Sequence, residues 1–154
     1  MLSIRSFILS DVQKGTAMEL NITDKISEQD RTEVFQGLLE YNLAKIEDKN
    51  SRDLGIYFEG PDGHKLAGLI GKTHGCWLTI QYLWVSETLR HQHIGSSILK
   101  QAEKTAKERG CKYVFLDTFD FQAPEFYKKY GYKEVFVLNE YPCTGKRYYF
   151  TKNL

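Results

Sequence analysis

The sequence predicts one α/β domain, and three observations carry that prediction. A chain of 154 residues has room for a single buried core and is too short to divide comfortably into two. Its composition, 42% hydrophobic and 27% charged, is that of a folded globular protein rather than a disordered or fibrous one. Strand-like and helix-like patterns then alternate, in the order strand, helix, hairpin, strand, helix, strand, helix and two final strands.

The elements follow in chain order. Residues 1–17 read two ways: Ile4, Phe7, Ile8 and Leu9 form a short extra strand, or Met18 is an internal start and the stretch before it is a leader. No function is assigned to that stretch, and the main domain is taken as 18–154. The alternation Met18, Leu20, Ile22 predicts a strand, and Ser27 followed three residues later by Asp30 marks a helix start. Val34, Phe35, Leu38, Leu39, Leu43 and Ile46 recur at steps of three and four, which predicts a helix of about four or five turns with its stripe in the core.

Leu54 to Phe58 and Leu66 to Ile70 are apolar runs separated by Gly60-Pro61-Asp62-Gly63, the pattern of a β-hairpin. Trp77 to Val85 is a longer strand that leads through a polar loop into a helix carrying Ile98, Leu99, Ala102 and Ala106 on one side, stopped by Gly110. A short strand from Tyr113 to Leu116, a helix from near Pro124 and strands around Val135 and Tyr149 complete the chain.

Charge and cysteine usage exclude several function classes. With 21 basic against 20 acidic residues there is no global positive field to gather nucleic acid or anionic lipid. Lys100, Lys104 and Lys107 share one helix, yet Glu103 and Glu108 interleave with them. Cys76, Cys111 and Cys143 are odd in number and far apart, which argues against a disulfide framework or zinc ribbon, and Cys111 and Cys143, with no histidine near them in sequence, are taken as structural thiols. No apolar run approaches the roughly 18 residues of a membrane span. Met1 to Ser10 lacks a long apolar signal segment, so a cytoplasmic protein without membrane partners is expected.

The loop Arg90-His91-Gln92-His93-Ile94-Gly95-Ser96-Ser97 carries the chemistry. A helix N-terminus presents unpaired N–H groups and the positive end of a dipole, and Gly95 lets the backbone approach a ligand, a geometry suited to a diphosphate. The plainer reading is a serine-capped, solvent-facing helix start. His91 and His93 lie two apart, but no cysteine or third histidine stands at ligand spacing, so loop or cofactor contacts are expected and no metal.

This segment resembles the Arg/Gln-x-x-Gly-x-Gly/Ala loop of the GCN5-related N-acetyltransferase superfamily, with Arg90, His93 and Gly95 at the motif positions and His93 where the family usually has glycine. The similarity runs from about residue 18 to Leu154 and includes Leu83-Trp84-Val85-Ser86-Glu87 and Gln122-Ala123-Pro124-Glu125-Phe126-Tyr127-Lys128-Lys129-Tyr130-Gly131-Tyr132. The resemblance implies a mixed central β-sheet with flanking helices, splayed at the cofactor-binding strands. It implies acetyl-CoA as co-substrate, contacted by Val85, Arg90, His91, Gln92, His93, Ile94, Gly95, Ser96 and Gln122, and Tyr127 as the acid that protonates the leaving thiolate. A packed aromatic is the alternative for Tyr127, and a helix cap at Pro124 the alternative for Gln122.

The activity implied is acetyl transfer to a primary amine on a small molecule, antibiotic, polyamine or peptide, by direct attack. The rival on the same fold is a non-catalytic acyl-CoA-binding or protein-interaction module. A backbone N–H near Val85 would hold the oxyanion. Glu87, Asp117, Asp120 and Glu125 stand as candidate bases. Asp120 and Glu140 read as ordinary solvated carboxylates ahead of acceptor contacts, and strands around Phe136 and Tyr149 are expected to be exposed for pairing in a homodimer.

Overall fold

The computed structural model describes residues 7–8, 19–47 and 50–154. Met18, and the choice between leader and strand for residues 1–17 apart from Phe7–Ile8, lie outside the described residues. The chain forms two compact units, Met1–Ile46 and Glu47–Leu154.

In the first unit β1 (Phe7–Ile8) pairs antiparallel with β2 (Glu19–Leu20), and α1 runs Glu28–Leu43. The helix starts where the sequence predicts, because Ser27 Oγ accepts the Asp30 N–H at 3.0 Å and the Asp30 carboxylate accepts the Ser27 N–H at 2.8 Å. Its apolar stripe is not core: α1 buries no residue, and Val34, Phe35 and Leu38 are exposed. A unit of this size, with a two-residue hairpin beside one helix, has too little chain to bury a stripe of its own.

The second unit holds β3 (Ser51–Glu59), β4 (Lys65–His74), β5 (Trp77–Val85), α2 (Ile94–Glu108), β6 (Tyr113–Phe119), α3 (Pro124–Lys129), β7 (Lys133–Asn139) and β8 (Lys146–Asn153). They make one six-stranded sheet ordered β3-β4-β5-β6-β8-β7. Only β5 and β6 are parallel, joined by the α2 crossover; every other pair is antiparallel, so the sheet is mixed. The β3–β4 hairpin turns at Gly60–Gly63, as its proline and glycines require.

One face of this sheet is the core. Leu54, Leu69, Leu78, Ile80, Val114, Leu116 and Phe150 pack with Ile98, Leu99, Ala102 and Ala106 of α2 and Tyr127 of α3. Burying each large side chain contributes roughly 1.5–3 kcal/mol. Both helices stop in the same way. After α2 the Gly110 N–H donates to Lys107 O and the Cys111 N–H to Ala106 O. After α3 Gly131 and Tyr132 bond back to Lys128 and Tyr127. Gly110 (φ +87°) and Gly131 (φ +84°) supply the left-handed residue this stop needs.

The expectation of an open strand at Tyr149 is corrected by the sheet order. β7 is an edge of the sheet, whereas β8, carrying Tyr149, is flanked by β6 and β7 and has no open side.

Candidate active site

The parallel seam between β5 and β6 is short. Pairing covers Trp77–Thr79 against Tyr113–Phe115 and then stops, so the remainder of both strands diverges. A bulge helps to start the divergence: the β4 register passes from Ile70↔Tyr82 to Gly71↔Ile80, leaving Gln81 over. The close approach needs a glycine, since a Cβ at Gly71 would lie 2.7 Å from the Thr79 carbonyl oxygen.

Register determines which backbone groups face the opening. The Ser86 N–H donates to Leu66 O at 2.9 Å, so Ala67/Val85 and Leu69/Leu83 are the unbonded pairs of the ladder, and the N–H and C=O groups of Val85 and Leu83 turn away from β4. On the other side Asp120 N–H donates to Lys146 O at 3.0 Å, which turns the backbone groups of Phe119 and Asp117 toward β5. Val85 therefore turns its backbone toward the opening, and the two-residue period of a strand gives Leu83, which the sequence reading did not single out, the same orientation.

At the wide end of the opening stands the start of α2. The serine-capped reading fails here: the N-cap is His93, it makes no side-chain cap bond, and the Ser96 and Ser97 hydroxyls donate back to its carbonyl at 2.8 and 3.0 Å. The first-turn N–H groups, which a helix cannot satisfy internally, are thus left without a side-chain acceptor. His93 adopts φ +61° and His91 φ +64°, left-handed conformations that explain why glycine suits the His93 position.

The remaining loop residues divide by what they offer. Arg90 Nε leans 3.4 Å from Val85 O, with Glu87 3.6 Å from its guanidinium, and Gln92 Nε2 donates to Thr88 O. His91, Gln92 and His93 are exposed, whereas Ser96 is buried and presents only its backbone. Ile94 and Gly95 are half-buried. A Cβ on Gly95 would meet Val85 Cγ2 at 3.4 Å and Phe126 Cζ at 3.9 Å, so there is room for a methyl group and the fold itself does not demand glycine there.

Tyr127 lies on the core side, 7% exposed, with ring neighbours Phe126, Tyr132 and Phe150. Burial, and then the Asp117 carboxylate, push its hydroxyl up to about 12. Gln122 does not cap α3, whose N-cap is Ala123. Its Oε1 accepts the Thr118 hydroxyl and the Phe119 N–H, both at 3.0 Å, which sets its amide on the β6 margin of the opening. Asp120 ties the turn to β8 by accepting the Phe121 and Lys146 N–H groups at 2.9 and 3.0 Å. Of the four candidate bases, Asp117 alone lies on a strand bordering the opening. Among the described residues no three His, Cys, Asp or Glu side chains gather to hold a metal, and no helix is long and apolar enough to cross a membrane.

Residues 20–132 match the family model described as the acetyltransferase (GNAT) family. An acetyltransferase of Agrobacterium fabrum is 35% identical over 130 residues, covering 84% of this chain and 85% of that protein. The blasticidin-S acetyltransferase of Streptomyces morookaense is 37% identical over 87 residues, 56% of this chain and 64% of that one. The crystal structure of an acetyltransferase from Bacillus cereus superposes with TM-score 0.77 at 31% identity, over 86% of this chain and 97% of the other. A splayed mixed sheet, a helix start open to an anion and these matches along most of the chain lead to one conclusion: the protein belongs to the GNAT family of acetyl-CoA-dependent acetyltransferases.

Proposed function

We propose that the chain transfers the acetyl group of acetyl-CoA to a primary amine by direct attack. The observation that carries this reading is the juxtaposition of a seam lined by free backbone groups with an α2 N-terminus that no side chain caps. The residues fit the co-substrate. Leu83 and Asp117 offer N–H and C=O groups, and Val85 its N–H, to an amide-bearing arm as a neighbouring strand would, and the first turn of α2 suits a diphosphate. Arg90 to Ser96 hold that end, and Gln122 borders the arm.

Acetyl-CoA supplies an activated thioester. The acceptor ammonium gives up one proton before attack; its nitrogen then forms the new C–N bond and releases a second proton as the C–S bond breaks, and that second proton restores Tyr127 after it has protonated the thiolate. A Val85 or Leu83 N–H facing the seam stabilises charge on the carbonyl oxygen. Tyr127 holds the proton for the leaving sulfur; with its hydroxyl up at about 12 it stays protonated throughout the neutral range.

The test is acceptor-dependent release of free thiol across a panel of amines, in wild type and Tyr127→Phe. The variant should lose about 10- to 100-fold in kcat while acetyl-CoA affinity changes little. Full activity in Tyr127→Phe with every acceptor removes the acid role. Acetyl-CoA binding without thiol release from any amine favours the non-catalytic module.

A further inference from the structure

The sheet face opposite α2 and α3 carries a charge pair at the seam. β6 alternates half-buried and buried residues; Val114, Leu116 and Thr118 are buried, while Phe115, Asp117 and Phe119 point the other way. Asp117 is the first residue on that outer face beyond the last β5–β6 pair, Thr79↔Phe115. Across the β6–β8 ladder Asp117 lies opposite Tyr149, and Phe119 opposite Arg147.

Arg147 Nε donates to Asp117 Oδ2 at 2.6 Å, and the two side chains remain 30% and 28% exposed. Three rings fix the guanidinium: its carbon lies 5.5 Å from the centres of Phe119 and Tyr141 and 5.7 Å from that of Tyr149. The contact to Asp117 is monodentate. Arginine has five N–H donors, so its Nη edge retains capacity after the bonds to Asp117 and the Tyr141 side chain. The bond from Arg147 Nε falls on Asp117 Oδ2, and a carboxylate's second oxygen has lone pairs of its own for a further donor. The pair thus shows a negative and a positive docking point beside each other, held by rings rather than by flexible stems.

We propose, on the basis of the acetyltransfer reading, that Asp117 and Arg147 recognise the acceptor as an amino acid. The ammonium group meets Asp117 Oδ1 and the carboxylate meets the Nη edge of Arg147. This sets the nitrogen at the mouth of the seam, on the face opposite Tyr127. That position agrees with the Asp117 charge being felt at the Tyr127 hydroxyl. The neutral pair repels neither half of a zwitterion, whereas a polyamine would place a second cation near Arg147.

The experiment compares thiol release from free α-amino acids, their methyl esters and the corresponding decarboxylated amines, in wild type, Arg147→Gln and Arg147→Lys. Wild type should favour the free acid over the decarboxylated amine by about tenfold or more in kcat/KM. Arg147→Gln should remove most of that ratio, and Arg147→Lys, which keeps the charge but loses the fork, should retain part of it. A thermal shift with acetyl-CoA reports whether each variant is folded. A ratio near one in wild type, or a ratio unchanged in Arg147→Gln, overturns the proposal and leaves the pair as a tie between β6 and β8. Release from decarboxylated amines alone sinks only this assignment; no release from any amine sinks acetyltransfer as well.

Discussion

Tyr127 combines two tasks in one side chain. Its ring packs against Phe126, Tyr132 and Phe150, and its hydroxyl is the acid proposed for the leaving thiolate. The alternatives of core aromatic and catalytic acid are compatible, because the packing that buries the ring is also what raises the hydroxyl. The shift has a sign. A group raised from 10.0 to about 12 on folding contributes its stability in full below pH 10, and that contribution is lost as pH rises through 12. Two units correspond to about 3 kcal/mol. Denaturant unfolding between about pH 9 and 12 should show a steeper fall for wild type than for Tyr127→Phe. Parallel curves would mean that the folded hydroxyl titrates normally. Turnover should therefore keep its acid through the neutral range.

Among the elements, the start of α2 differs most from expectation. The capping box of α1 was legible in Ser27 and Asp30 because a local motif satisfies local donors. The start of α2 was not, because two serines in its first turn look like caps but bond to His93 O instead. His93 holds a left-handed conformation that disfavours side chains by roughly 1–2 kcal/mol. His93→Gly should therefore match or exceed wild-type stability, by up to about 1 kcal/mol after the added freedom of the unfolded chain. His93→Val should lose stability by a similar amount. Calorimetric titration with CoA should find His93→Gly within about threefold of wild type. A tenfold loss would assign the imidazole itself to the ligand. In the second unit the Trp77–Val85 strand and the helix start at Pro124 were readable, whereas β4 runs four residues past the Leu66–Ile70 apolar run and β6 three past Leu116. The early end of β5–β6 pairing was not, since no local pattern marks a bulge at Gln81 or the loss of a distant neighbour. The α1 stripe shows the opposite limit: periodicity identified the helix and said nothing about what covers it.

For the molecule as a whole, the co-substrate would touch β5, the α2 start and the end of β6, and the two strands among these pair with each other over three residues. Acetyl-CoA should stabilise the native state by about 2.7 kcal/mol at a hundredfold excess over Kd, and the thermal midpoint should climb with concentration. Free CoA should act similarly and ATP less. No shift with either CoA species would contradict the placement of the ligand in the seam. The rest of the second unit is held independently of it. Lys152 and the Tyr132 hydroxyl both bond Glu103, at 2.8 and 3.0 Å, and join α2 to β8 and the end of α3.

The seam is also a matter of hydration. Leu83, Asp117 and the Val85 N–H point peptide groups into the middle of a sheet where no strand answers them, and peptide groups of this kind are not left dry. Without a ligand they must be served by water, so the sheet contains a wet slot between dry flanks. A ligand arm that brings its own amides returns those waters to bulk while replacing their hydrogen bonds, whereas an apolar arm of equal length would strip the slot and leave its peptide groups bare.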